Sequence, residues 1–306
     1  MRARVKRRQR NRRLAWIAAA VVLIAIFVVS AYILSQPSAL DAFDNKPVSP
    51  SDMAGLSAVS ALPYGTSGAV LDHLIQNASA TLTSQGKPIV LFVGELGCPY
   101  CAELRWSLVL ALMRFGNFTN LSYMTSEFDG TDYPTFTFIG NTYTTYTSKY
   151  IVLQTYEVED RAGNALQTLP SNYKSIFDSL SVNGGVPFVD FGGRYYTPSA
   201  LLPSSIPGYS DYISYLSALF GSQNWAQVIS GISSGSTLGT LIKGGANVIT
   251  AAICKSIAAD GGAPPSSICQ QSPINQLGPV SMTLPALSQP PTPPVVALQD
   301  SRRLGW

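Results

Sequence analysis

Ile89-Val90-Leu91-Phe92-Val93-Gly94-Glu95-Leu96-Gly97-Cys98-Pro99-Tyr100-Cys101 decides how this 306-residue chain folds. Residues 89–93 are apolar at every position, the pattern of a strand covered on both faces rather than one. Residues 94–97 turn the chain, and the spacing predicts a helix that begins at Cys98. Pro99 then takes the first helical position, where its missing N–H costs nothing. Leu104, Leu108, Val109, Leu112 and Met113 form the apolar stripe of that helix, and Gly116 closes it.

The cysteines at the junction carry the chemistry. A thiol attacks a disulfide only as its thiolate. A helix N-terminus stabilises that anion with unpaired N–H groups and the positive end of its dipole. Cys98 is therefore the expected nucleophile, and Cys101, one turn on, the expected resolving thiol. Tyr100 lies between them as a candidate gate to Cys98, its plain role being packing. A zinc site is disfavoured, because the other cysteines lie over 150 residues away and His73 is the only histidine. Copper(I) held by two thiolates and an inert structural disulfide are the remaining alternatives. Glu95 and Glu103 flank the motif as candidate proton carriers; solvated carboxylates are the plain reading.

Outward from this unit, residues 71–83 carry Leu71, Leu74, Ile75, Ala78 and Leu82 at helical spacing, which predicts a helix before the strand. Strands are expected at 121–125, 135–139 and 149–158, and a helix at 169–180. Gly185-Val186-Pro187-Phe188-Val189-Asp190-Phe191, the Gly192-Gly193 turn and Arg194-Tyr195-Tyr196 read as a β-hairpin. Helices follow at 209–220, 225–232 and 238–258, with the glycines between 231 and 245 read as helix interruption. Cys254 and Cys269 frame a sharp turn, so a structural disulfide is the preferred reading and a second redox pair the alternative. Residues 271–306 are proline-rich and expected to be disordered.

The N-terminus sets location. Residues 1–13 hold eight Arg and Lys and no acid, and residues 14–34 are apolar except for Ser30. Such a run matches a bilayer core as one helix, and the cationic flank keeps the N-terminus inside. A cleaved signal peptide is the rival reading. Residues 35–52 read as a tether and 53–270 as the extracytoplasmic domain. From residue 36 onward there are 12 Lys plus Arg against 17 Asp plus Glu, so the overall net charge of +3 hides a weakly acidic body with no face for nucleic acid. N-glycosylation triplets at Asn77, Asn117 and Asn120 suit an exported domain.

Residues 71–116 resemble the opening of a thioredoxin-like domain, and the tetrapeptide Cys98-Pro99-Tyr100-Cys101 is the one typical of glutaredoxins. Val186-Pro187 with its Gly-Gly turn resembles the hairpin of the same superfamily. That resemblance implies a cis Pro187 facing the cysteines and a Val186 backbone that pairs with an extended substrate peptide, so Val186, Pro187 and Tyr100 are the implied substrate-binding residues. It covers roughly residues 65–222. Gly97 stands where thioredoxin has tryptophan, Phe92 where it has a buried aspartate, and Trp106 where a proline interrupts its helix. The longer stretch from Cys101 to Pro187 implies an insertion around 127–165. The whole layout also resembles an uncharacterised archaeal family of membrane-anchored proteins.

The expectation is thus an α/β thioredoxin-like fold with an insertion and a C-terminal helical extension, on a single N-terminal transmembrane helix. It implies a thiol–disulfide oxidoreductase or isomerase without cofactor or metal, acting on cysteine-containing exported proteins, with a possible membrane redox partner. A non-catalytic binding or surface protein and a copper(I)-handling module are the alternatives.

Overall fold

The computed structural model describes residues 16–30, 38–61, 71, 74–221 and 223–277. The basic segment 1–13, His73 and residues 278–306 lie outside these, as do parts of the apolar run and of the tether. In chain order the elements are α1 (Trp16–Ser30), α2 (Pro50–Ser60), β1 (Gln76–Asn77), β2 (Thr83–Ser84), β3 (Lys87–Gly94), α3 (Pro99–Met113), β4 (Gly116–Thr119), β5 (Ser122–Phe128), β6 (Thr131–Thr137), β7 (Thr145–Ser148) and β8 (Val152–Glu157). Then come α4 (Ser171–Leu180), β9 (Phe188–Phe191), β10 (Tyr195–Thr197), α5 (Tyr212–Phe220), α6 (Trp225–Ser234), α7 (Thr237–Ala259) and α8 (Ser266–Cys269).

β3 is the centre of a mixed sheet, as its unbroken apolar run requires. β8 pairs with it in parallel, from Ile89–Val152 to Gly94–Glu157, and β9 pairs antiparallel on the other side. β10 continues from β9 through the Gly192-Gly193 turn, and β1 adds the edge. Both faces are covered. Val90, Phe92, Val189 and Phe191 join the large core with α3 and α7, whereas Ile89, Leu91, Val93 and Phe188 pack beneath α4. The crossover from β3 to β8 is interrupted by two ribbons, β4–β7 and β5–β6. These ribbons occupy residues 116–148, overlapping the span 127–165 where an insertion was expected.

Four expectations are corrected. No helix spans 71–83: after Leu71 and Leu74 the chain runs extended through β1 and β2. Ala78, Ala80 and Leu82 donate their N–H groups to the carbonyls of Arg194, Gly193 and Gly192, so pairing along the hairpin overrides the helical spacing. The tether is packed over its described part, 38–52: Asn45 and Val48 donate to the carbonyls of Tyr123 and Leu121, Val48 is buried, and α2 begins at Pro50 with Ser49 as its N-cap. The glycines of 231–245 do not break α7; only Gly235, left-handed at φ 77°, ends a helix there. At Gly245 a side chain would press on Ser107, so the missing Cβ lets α7 cross α3 closely. Finally, residues 271–277 are not loose, since Ile274 and Leu277 are buried against the core.

α1 is apolar and every residue of it is exposed, so none of the described residues covers it. α7 also has the length and apolarity to cross a membrane, but 83% of its apolar window is buried inside the protein, which makes it a core helix. At its end Cys254 and Cys269 form a disulfide with Cα atoms 5.7 Å apart. Replacing both by serine is expected to cost about 3 kcal/mol, the loop-closure entropy of a ring that size, read as a lower denaturant midpoint.

Candidate active site

The turn after β3 is held from several sides. Leu96 donates its N–H to the Glu159 carbonyl (3.0 Å) and accepts at its own carbonyl from Ser126 Oγ (2.6 Å). α3 starts at Pro99 with Cys98 as its N-cap, and the Cys101 N–H donates to Cys98 Sγ at 3.2 Å. The helix is pinned by the β5–β6 ribbon, where Thr135 Oγ1 donates to the Ala102 carbonyl (2.9 Å) and Trp106 Nε1 donates to the Pro134 carbonyl (2.7 Å). The two sulfurs are not joined and differ in access: Cys98 is partly exposed and Cys101 is fully buried.

Beneath the pair lies a buried ion pair. Arg105 Nη2 and Nε reach Glu157 Oε2 and Oε1 at 2.6 and 3.1 Å, and Nη2 also donates to the Glu95 carbonyl at 2.7 Å. Both side chains are fully buried, and the guanidinium sits 5.6 Å from the centre of the Phe92 ring. Its Nη1 has no hydrogen-bond partner among the described residues. Gly94 makes room for this arrangement, since a Cβ there would collide with the Phe92 ring and stand 3.2 Å from Glu157 Oε2.

The electrostatics of the thiols follow. Cys98 is held below an ordinary cysteine by the Cys101 thiol that hydrogen-bonds it, against the cost of burial, with further help from the Cys101 N–H and the Arg105 charge. Cys101 is pushed well up by burial and by its bond to the Cys98 sulfur. When the pair loses its first proton, Cys98 is therefore the thiol favoured as the anion and Cys101 the one favoured to stay protonated.

Two depressions meet at Tyr100. One, of about 420 Å³, is lined by Cys98, Pro99, Tyr100, Glu95, Glu127, Glu159, Asp160 and Arg161. The other, of about 320 Å³, has no charged residue among its described lining residues and is lined by Tyr100, Val186, Pro187, Leu202 and Tyr212. The Val186–Pro187 bond is cis. Phe188 pairs with Val93, so Pro187 falls at the sheet end from which the chain leaves for Cys98. Val186, Pro187, Tyr100 and the cysteines are thus gathered at one end of the sheet, with Cys254 and Cys269 elsewhere.

Of the two flanking glutamates, Glu95 belongs to this site and Glu103 does not. Glu95 is half-buried in the first depression, its carboxyl raised by burial and by the neighbouring Glu159 charge. Glu103 is fully buried, accepts from Ser107 Oγ (3.1 Å) and faces the α7 side of α3. Sequence reading missed Arg105 and Glu157. A cation inside an otherwise apolar helix was the available sign of a buried partner.

Fold and site together define a mixed α/β protein with a cysteine pair at the head of a buried helix. The chain belongs to the DUF929 family, a domain of unknown function, whose match covers residues 73–255. No curated protein and no solved structure matches it.

Proposed function

We propose that this chain is a membrane-anchored thioredoxin-like thiol–disulfide oxidoreductase working on exported protein cysteines outside the cytoplasm. The observation that carries the reading is the asymmetry of the pair: Cys98 accessible and favoured as thiolate, Cys101 enclosed and protonated one turn behind. The strand order β8-β3-β9-β10, with β3 and β8 parallel and the rest antiparallel, supports the thioredoxin-like reading, as does the cis Pro187 beside Tyr100. The exposed apolar helix α1 behind a polybasic segment supports the anchor and an extracytoplasmic domain. Arg105 and Glu157 occupy the charged layer beneath the cysteines that Phe92 leaves empty of an acid.

In the reductive direction Cys98 Sγ attacks one sulfur of a substrate disulfide. A Cys98–substrate bond forms, and the other substrate sulfur leaves with the electron pair and takes up a proton. Two of the influences that hold Cys101 protonated, the hydrogen bond and the charge of Cys98, vanish at that moment, while the Arg105 charge remains. Cys101 then loses its proton and displaces the substrate sulfur, closing the Cys98–Cys101 disulfide. Two electrons have passed to the substrate, which leaves as a dithiol. Oxidation of a substrate dithiol is the same sequence reversed.

The test is alkylation of the full-length chain in detergent micelles as a function of pH. In a Cys101→Ser variant, whose hydroxyl still donates to Cys98, the reaction of Cys98 is expected to have its midpoint below that of an ordinary thiol, roughly 8.5. The variant should also accumulate mixed disulfides with exported proteins. A midpoint at or above the ordinary value removes the oxidoreductase reading and leaves a binding protein on the same fold.

A further inference from the structure

The groove at Cys98 is divided by charge. Glu95, Glu127, Glu159 and Asp160 line the depression that holds Cys98, and Arg161 is the cation among its lining residues. Arg161 is already engaged. Its Nη1 meets Asp41 Oδ1 at 2.5 Å and Asp44 Oδ2 at 2.8 Å, and its Nη2 meets Glu127 Oε2 at 3.0 Å. Asp160 is held as a carboxylate by Asn164 and by backbone N–H groups, all of them neutral. Among the described residues no cation forms an ion pair with Glu95 or Glu159, and the Glu159 charge raises the cost of charge on Glu95; Arg105 acts on Glu95 only from behind. Across Tyr100 the second depression has no charge among its described lining residues and presents Val186, Pro187, Leu202 and Tyr212.

From this we infer that the thiol substrate of Cys98 is an extended segment with lysine or arginine on one flank of its cysteine and an apolar side chain on the other. The inference rests on the oxidoreductase reading, since the site is the Cys98 groove itself and the carboxylates decide what it accepts. A cation between Glu95 and Glu159 relieves their repulsion and draws the substrate sulfur toward Cys98. An acidic flank adds a further like charge and is turned away. The uncharged half takes the apolar flank and excludes water beside the new disulfide.

The experiment uses the full-length Cys101→Ser protein in neutral detergent micelles and short peptides whose single cysteine carries a 2-pyridyl disulfide. Cys98 Sγ bonds to the peptide sulfur, the peptide–pyridyl S–S bond breaks, and pyridine-2-thione leaves with the electron pair and a proton. Its release gives the rate. Peptides with lysine flanks are expected to react roughly tenfold faster than those with glutamate flanks at low ionic strength, with the ratio falling toward one as salt is raised. In Glu95→Gln/Glu159→Gln the ratio should shrink at low salt too. Equal rates for both peptides overturn the inference, as does a preference that survives salt or the double substitution. The small neutral disulfide 2,2′-dipyridyl disulfide separates the two levels. If it reacts rapidly while charge makes no difference, the substrate inference alone is lost. If it reacts no faster than with an unperturbed thiol, the oxidoreductase reading falls and takes this inference with it.

Discussion

Arg105→Met is expected to destabilise the domain by about 3–5 kcal/mol, the range found when one partner of a buried ion pair is removed. The cost comes from what stays behind. Glu157 is fully enclosed at the end of β8, and its carboxylate oxygens are met by Arg105 Nε and Nη2. Without the guanidinium that charge has neither water nor a cation, and the Glu95 carbonyl loses its donor as well. Removing both partners, as Arg105→Met/Glu157→Leu, should recover most of the loss, because an apolar pair satisfies the same volume without desolvated charge. Denaturant midpoints of the two variants and the parent measure this. A single variant as stable as the double one would show that the pair carries no such weight.

The double variant also isolates a functional role. Its fold is restored but the positive charge behind the thiols is gone, and that charge is one of the influences lowering Cys98. The alkylation midpoint of Cys98 should therefore move up in the refolded double variant, and its rate at neutral pH should fall. A merely structural pair would leave that midpoint in place. Arg105 is on this account a positioning residue for the thiolate, since it acts on Cys98 by its field and touches no substrate.

How far the sequence announced this arrangement depends on the range of each interaction. The central strand and α3 were legible because their signals are local: an unbroken apolar run, then Cys98-Pro99 at a helix start. The β9–β10 hairpin was legible through its Gly192-Gly193 turn. Residues 71–83 misled because Leu71, Leu74, Ile75, Ala78 and Leu82 fit a helix, while residues 77–83 also alternate polar and apolar, the period of a strand. The free edge of β10 decided between them. α2 had a start signal in Ser49-Pro50-Ser51-Asp52, with Ser49 accepting from the Asp52 N–H, that was passed over inside a supposed tether. Arg105 and Glu157 are 52 residues apart, and no spacing rule connects positions that only the parallel pairing of β3 and β8 brings together. The acidic groove is hidden in the same way, assembled from the 95, 127 and 159–160 regions.

Stability should fall as pH rises, and Glu103→Gln should remove about half of that fall. Glu103 is fully buried on α3, accepts from Ser107 Oγ and from the Leu201 N–H, and has Oε2 without a partner among the described residues. Burial pushes its carboxyl up from 4.5 to about 8. Below about 4.5 folded and unfolded chains both carry the proton, and this group adds no pH dependence. Between about 4.5 and 8 the unfolded chain gives the proton up while the folded one keeps it, so each pH unit costs about 1.4 kcal/mol, several kcal/mol over the window. Asp190, raised by burial from 3.8 to about 7, pulls in the same direction on the opposite face of the sheet. Glutamine keeps the size and the acceptor of Glu103 but cannot ionise. Denaturant midpoints for parent and Glu103→Gln should therefore nearly coincide at pH 4 and separate steadily toward pH 8, with the variant the more stable. Parallel profiles would sink the idea that the carboxyl is kept neutral.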